Sequence, residues 1–274
     1  MATLKMTDEE YFADKEHLDC TAYKDFTGTI IRSGCEARAK AAWDGELIRP
    51  KSIALMAGSY VDAALTGDFN KFKREHPEII SQKGPSKGQI KSDYRIADAM
   101  IERCLRDEVF MDFMDGDKQV VMTGEIEGVP VKIKVDVLRH DRICDLKTVK
   151  SISDTFYAAD LGERVDFVEA YGYNTQGAIY REIVRQNTGD TLPFYLNCVT
   201  KDAEDREPHP RLAIIHLPDR KLDEELENVK RRINAVWAVL NGDANAIPCG
   251  KCLYCADTLP LLGPIEEDQL ILGI

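Results

Sequence analysis

The order of apolar and polar residues changes period near Gln119 and again near Asp166. Before Gln119 the pattern is helical. Thr7-Asp8-Glu9-Glu10 has capping-box spacing, and Ser33 is placed to cap a short helix over Cys35–Trp43. Ser52–Leu65 (SIALMAGSYVDAAL) is apolar with helical composition, and residues 91–107 alternate apolar and charged positions at helical spacing. From Gln119 the period becomes two. Gln119–Glu127 reads as a strand, Gly128 as a turn and Val129–Leu138 as a second strand. After a turn at His140-Asp141, Arg142–Val149 completes a three-strand meander. Asp166–Gln186 predicts a long helix, Leu192–Thr200 and Arg211–Leu217 two more strands, and Asp219–Leu240 a further helix. This order predicts an α/β fold of mixed α+β character, with a central mixed β-sheet flanked by helices. No Pro-, Gly- or Ser-rich linker divides the chain. The expectation is one domain over 1–274: a helical part (1–115), a sheet core (116–217) and a C-terminal helix with a cysteine motif (218–274).

Composition narrows the class. Of 274 residues, 44% are hydrophobic and 31% charged, which excludes a disordered or collagen-like chain. No apolar run approaches the ~20 residues of a membrane span, so no membrane partner is expected. The first residues, MATLKMTDEEYF, lack a signal-peptide pattern. The expectation is a cytoplasmic protein whose eight cysteines are reduced. The net charge of −12 argues against a nucleic-acid partner, but its distribution weakens that argument. Residues 1–20 and 256–274 each carry −4, whereas residues 71–95 carry +4. Lys71, Lys73, Arg74, Lys83, Lys87 and Lys91 are therefore candidate phosphate contacts, or else a solvated helix and loop.

The strands carry candidate chemistry. Asp136 lies in KIKVDVL, flanked by Val135 and Val137, and so points to the face opposite both. Asp145 and Lys147 in ICDLKT are two residues apart and share a face of the next strand. Carboxylates gathered in an apolar sheet need a cation, and oxygen ligands suit Mg²⁺ or Mn²⁺. A neighbouring lysine orients water or neutralises charge on a phosphorane. Solvated surface ion pairs are the other reading. Asp62 is the one acid in the apolar helix Ser52–Leu65; it either joins a metal or lies on an exposed face. Glu125, on the preceding strand, is a competing acid. Gln176 and Tyr180 share one helix face, where they either brace the site or pack as core and surface.

Cys249-Gly250-Lys251-Cys252-Leu253-Tyr254-Cys255 is a second signal. Three cysteines at this spacing in a reducing cell read as a metal site, structural zinc or the opening of an iron–sulfur ligand run, or as free thiols. A fourth ligand is missing locally. Cys35, at the start of a short helix, is the first candidate and Cys20 the second. Cys104, Cys144 and Cys198 fall in predicted helix or strand and read as core.

Gly58-x-x-x-Asp62, Val135-Asp136, Asp145-Leu-Lys-Thr148 and Gln176-x-x-x-Tyr180, in this order and spacing, resemble the PD-(D/E)XK nuclease superfamily. Within it the chain is similar to the RecB/RecE-like phage exonucleases of the exodeoxyribonuclease VIII-like set, from about residue 20 to the cysteines. The resemblance implies a restriction-endonuclease-like core. It implies that Asp136 and Asp145 bind Mg²⁺ or Mn²⁺, with Asp62 and the Leu146 carbonyl as further ligands, and that Lys147 is the catalytic lysine. Gln176 and Tyr180 match the Q-x-x-x-Y element. Two positions depart from the pattern: Asp62 stands where many relatives carry His, and Val135 where Pro is expected. The implied activity is digestion of linear double-stranded DNA, or single strands, from its ends in phage recombination or repair, in the host cytoplasm. An annealing protein and a homo-oligomeric ring are the implied partners. The cysteine pattern is similar to that of iron–sulfur RecB-type nucleases, which implies a [4Fe–4S] cluster on Cys35, Cys249, Cys252 and Cys255, with Zn²⁺ the alternative. The rival function is a catalytically inactive DNA-end-binding or iron–sulfur regulatory protein on the same fold.

Overall fold

In the computed structural model, residues 6–48, 52–67, 69–91, 94–204, 207–261, 263, 264 and 267 are described. Among the described residues seven α-helices precede the sheet: α1 (Asp8–Ala13), α2 (Cys20–Thr27), α3 (Glu36–Trp43), α4 (Ile53–Thr66), α5 (Phe69–Glu75), α6 (Arg95–Leu105) and α7 (Glu108–Phe113). The expected meander follows as β1 (Asp117–Ile126), β2 (Val129–Arg139) and β3 (Arg142–Val149). After α8 (Phe167–Ala170) and α9 (Tyr173–Thr188) come β4 (Phe194–Thr200), β5 (Leu212–Leu217), α10 (Asp219–Asn241) and α11 (Leu253–Thr258). The sheet order is β5-β4-β3-β2-β1. Only the β3–β4 pair is parallel, because α8 and α9 form the crossover that parallel strands require. The sheet is therefore mixed, as the sequence order predicts.

Both faces of the sheet are covered. On one, Val131, Ile133, Ile143 and Leu196 pack against Ile179 and Ile183 of α9 and Val229 and Ile233 of α10. On the other, Val137, Cys144, Leu146 and Val199 pack against Met56 and Val61 of α4, Met100 of α6 and Phe110 of α7. Each such fully buried side chain contributes roughly 1.5–3 kcal/mol of transfer free energy. The N-terminal segment is tied to β2 through Leu18, whose N–H donates to the Pro130 carbonyl at 2.8 Å and whose carbonyl accepts from Lys132 at 3.0 Å. Lys132, almost fully buried, caps this junction by donating to the carbonyls of Tyr11 and Asp14, each at 2.6 Å.

Three local expectations are corrected. Cys35, not Ser33, caps α3: its backbone is extended and its sulfur accepts the Arg38 N–H at 3.5 Å. The helix expected over Asp166–Gln186 is two helices, because Gly172 takes a left-handed conformation (φ 63°) at their junction. A Cβ there would stand 3.2 Å from Thr29 Cγ2 and 3.3 Å from Lys24 Cδ. Strict alternation along β2 also fails, since Val135 packs under α9 and α10 but Val137 under α4, α6 and α7. Residues 92 and 93, part of the expected 91–107 helix and of the basic stretch, lie outside the described residues, as does much of the acidic C-terminal stretch. Among the described residues, no helix is long and apolar enough to cross a membrane.

Candidate active site

The acids meet where the meander opens. β2 and β3 pair through Val137↔Cys144, Leu138↔Ile143 and Arg139↔Arg142. Beyond Val137 the pairing stops, and the Asp136 carboxylate instead accepts the Leu146 N–H at 2.8 Å. Asp145, 2% exposed, accepts from Gln176 Nε2 at 2.7 Å on one oxygen and faces the Lys147 ammonium with the other. The α9 face that carries Gln176 thus fixes the second acid. Tyr180, one turn on, is buried with its ring edge-on to Phe194, 6.1 Å between centroids.

Asp62 arrives from the opposite layer. A Cβ at Gly58 would lie 2.9 Å from Thr148 Oγ1, so the missing side chain lets α4 lie against β3 and carries Asp62, one turn later, over the acids. This explains the Gly58-x-x-x-Asp62 spacing physically. Gln119 then links the two layers. In register it faces Asp136, but it lies between the paired positions Lys118 and Val120 with a left-handed backbone, φ 52°. That conformation is uncommon for a residue with a Cβ and costs on the order of 1–3 kcal/mol. Its amide donates to Asp62 Oδ1 at 3.3 Å and to Asp136 Oδ1 at 3.4 Å. Glu125 does not join the group. It is exposed, pairs with Pro130 and exchanges backbone hydrogen bonds with the Gln186 amide. It lies six residues along β1 from Gln119, ~20 Å at strand rise.

The electrostatics describe a site short of positive charge. Burial, then the neighbouring Asp145 and Asp62 carboxylates, push the Asp136 carboxyl well above the usual range, against Lys147 and the Leu146 N–H. Burial pushes Asp62 up to about 6, with Lys134 opposing and Asp145 reinforcing. Lys147 behaves oppositely. Burial alone would lower it, but Asp145, then Tyr173 and Asp136, override burial and hold it as an ammonium. A divalent cation among these oxygens would offset the burial and the like charge that raise both carboxyls. The donor set, hard carboxylates with no sulfur or imidazole, fits Mg²⁺ or Mn²⁺.

Lys147 forms the wall between two openings. One, of about 690 Å³, is lined by Asp62, Asp136, Leu146, Lys147, Ser59 and Lys201. The other, of about 530 Å³, lies toward α2 and includes Lys147, Gln176, Tyr180, Tyr173, Lys24 and Lys15. The exposed Phe12 of α1 borders both. Lys71, from the basic segment, lines a third opening together with Asp62, Gln119 and Lys134. Lys83, Lys87 and Lys91 are exposed. Gln119 and Tyr173 were not legible as site residues. Gln119 reads as the first residue of a strand. Tyr173, whose ring lies 5.1 Å below Lys147 Nζ, precedes Gln176 by three positions, and that helical spacing is the signal that finds it.

The cysteines sort cleanly. Cys20, Cys104, Cys144 and Cys198 are buried among apolar side chains of the two cores. Cys35 meets the C-terminal three, and the four sulfurs all lie within 4.8 Å of one another. Cys35 Sγ is 3.6 Å and Cys249 Sγ 3.8 Å from Cys255 Sγ. The N–H of Lys251, against burial, draws the Cys249 thiol down to about 6, whereas burial pushes Cys255 up to about 12.

Two comparisons with known proteins bear on these features. The family model for a PDDEXK-like domain of unknown function (DUF3799) matches residues 19–258. The crystal structure of a "putative exonuclease" from Eubacterium rectale is 38% identical, with a TM-score of 0.89, and the match covers 99% of this chain and 100% of that one. No curated protein matches.

Proposed function

Because the chain belongs to the PDDEXK-like family, we propose that it is a divalent-metal-dependent deoxyribonuclease that digests linear double-stranded DNA from its ends. The observation that carries this reading is the meeting of Asp136, Asp145 and Lys147 at the opening of the meander, each held by a separate brace. Asp136, Asp145, Asp62 and the Leu146 carbonyl would hold Mg²⁺ or Mn²⁺, which supplies positive charge to the scissile phosphate and its leaving oxygen. The residues do the rest. The Lys147 ammonium orients the attacking water and offsets charge on the phosphorane. The P–O3′ bond breaks as the water oxygen bonds to phosphorus; the water gives up a proton to solvent and the 3′-oxygen takes one up, leaving a 5′-phosphate and a 3′-hydroxyl. Gln176 fixes one oxygen of Asp145, and Tyr180 with Tyr173 shapes the neighbouring opening. Lys71 joins the basic segment to the cleft, a path along which a phosphate backbone approaches. We read residues 1–274 as one nuclease domain, a reading supported by α2 packing on α9 and by α2 and α3 both packing on α10 and on each other. Phage recombination, an annealing partner, a homo-oligomeric ring and a cytoplasmic setting are the context that the resemblance adds. At the cysteines the resemblance implies a [4Fe–4S] cluster, and Zn²⁺ is the alternative.

The test is to incubate the purified chain with linear and with covalently closed circular duplex DNA in Mg²⁺, Mn²⁺ or EDTA. The expected result is loss of linear DNA only, in either metal, and complete protection by EDTA. Survival of linear DNA in every metal sinks the nuclease reading; equal loss of circular DNA sinks the end requirement.

Gln119 is a positioning residue in this reading. Its amide holds Asp62 and Asp136 at one spacing before a cation arrives. Gln119→Leu keeps the shape and removes the donor. It is expected to weaken Mn²⁺ binding and lower activity at limiting metal by about 10- to 100-fold, the usual cost of removing a partner that orients a ligand. Calorimetric titration with Mn²⁺ checks this without an activity assay. Unchanged Mn²⁺ affinity refutes the role.

A further inference from the structure

The sulfur geometry disagrees with the cluster that the resemblance implies. Four cysteines on a [4Fe–4S] cubane each bind a different iron at alternate corners of a cube, so their sulfurs stand far apart, on the order of 6 Å. Four cysteines on one tetrahedral ion at a bond length of ~2.3 Å have sulfurs ~3.8 Å apart, the edge of the tetrahedron. Here Cys35–Cys255 is 3.6 Å, Cys249–Cys255 is 3.8 Å and no pair exceeds 4.8 Å. The cavity of about 330 Å³ beside the site touches Cys35 and Cys249, and the four sulfurs themselves lie within 4.8 Å of one another, closer than the corners of a cubane place them. They converge on a point.

We propose that Cys35, Cys249, Cys252 and Cys255 hold a single zinc ion in a closed tetrahedral S₄ site. The ligands come from the cap of α3 and from both sides of the start of α11, and the Cys249-x-x-Cys252 pair has the spacing of a zinc knuckle. The excess negative charge of four thiolates on a divalent ion is met by backbone donors. The Arg38 N–H reaches Cys35 Sγ and the Lys251 N–H reaches Cys249 Sγ, each at 3.5 Å. Positive side chains stand near as well, since Arg232 lines the adjacent cavity with Cys35 and Cys249. A closed S₄ site leaves no position for water or substrate, so the ion is structural, and zinc itself neither gains nor loses electrons there. The site is a staple across 220 residues of chain. It stands apart from the carboxylate centre, and the proposal does not rest on nuclease activity.

The full-length chain, expressed with both iron and zinc in the medium and purified without oxygen, is analysed for metals, acid-labile sulfide and visible absorption. The expected result is about one zinc per chain, no sulfide and no broad visible band, with Cys35→Ser losing the zinc. Growth with Co²⁺ in place of zinc is expected to give the intense d–d bands of a tetrahedral thiolate site. Iron and sulfide near four per chain overturn the proposal, as does metal-free protein in which all eight thiols react with a thiol reagent after unfolding and the four of the site react before it. Zinc content unaffected by Cys35→Ser overturns the ligand assignment.

Discussion

Lys147→Ala is expected to slow hydrolysis of linear duplex DNA by on the order of 10³-fold at saturating Mg²⁺ and DNA, about 4 kcal/mol in activation free energy. The size follows from where the ammonium sits. It is held against the Asp145 carboxylate between the two openings of the site, and burial there makes a fixed charge worth far more than one in water. No other cation of the described residues contacts Asp145. The alanine variant also leaves that buried carboxylate short of a partner, so some loss of stability is expected without metal. A bound cation compensates for the carboxylate but not for the missing charge beside the attacking water. The loss should therefore appear in kcat, with DNA affinity within a few-fold of the parent. Lys147→Arg restores charge but not the compact geometry and should recover only a small part. Single-turnover rates on a labelled linear duplex, with thermal melts in Mg²⁺ to confirm the fold, check these points. A variant that retains a tenth or more of the parent rate shows that Lys147 is not the group that acts.

Legibility differed between the parts of this site for physical reasons. β2 and β3 were readable because the alternating sequence of VPVKIKVDVL and two short turns place KIKVDVL beside ICDLKT, although burial along both strands departs from strict alternation. Their pairing brings Asp136 to Asp145 without help from distant chain. The cysteine motif was equally plain, and Cys35, starting a helix, stood ahead of Cys20 as the fourth member; the structure brings Cys35 to the other three, with its sulfur as the helix cap. Asp62 was ambiguous against Glu125 because both are acids beside the right strands. The choice depends on how close α4 comes to β3, which the absent side chain of Gly58 sets and no periodicity encodes. Gln119 was invisible, since its role depends on a left-handed backbone in a position that reads as an ordinary strand residue. The break at Gly172 has the same origin. Burial patterns report which face a residue takes, not where the backbone leaves the ideal path, and functional groups collect at such departures. The identity of the cysteine-bound metal was hidden for another reason. Zinc and a cubane accept the same residues at the same spacing, and only distances between sulfurs separate them.

Cys35→Ser is expected to lower the melting temperature by on the order of 10 °C. Serine is nearly isosteric, so the core around α3 hardly notices it; the loss is that of one of four ligands and with it the ion. The cross-link joins residues 220 apart, and in the chain-entropy picture closing so long a loop is worth about 5 kcal/mol, an upper figure because real denatured chains are compact. For a chain of this size each kilocalorie corresponds to roughly 2–4 °C, which gives the stated shift from a partial loss of that term. The staple has little to replace it. α11 is six residues long, and Leu253 beside the ligands is 90% exposed, so the segment buries few apolar side chains of its own. Limited proteolysis should accordingly cut the variant first near residues 247–261, while the sheet core stays intact. Differential scanning calorimetry of parent and variant, each with and without added Zn²⁺, measures the effect. Parent protein stripped of metal must melt with the variant, and added Zn²⁺ must raise the parent alone. If the variant melts within 2 °C of the zinc-loaded parent, the ion is absent or contributes nothing. If stripped parent and variant then differ by several degrees, Cys35 acts through packing and not as a ligand.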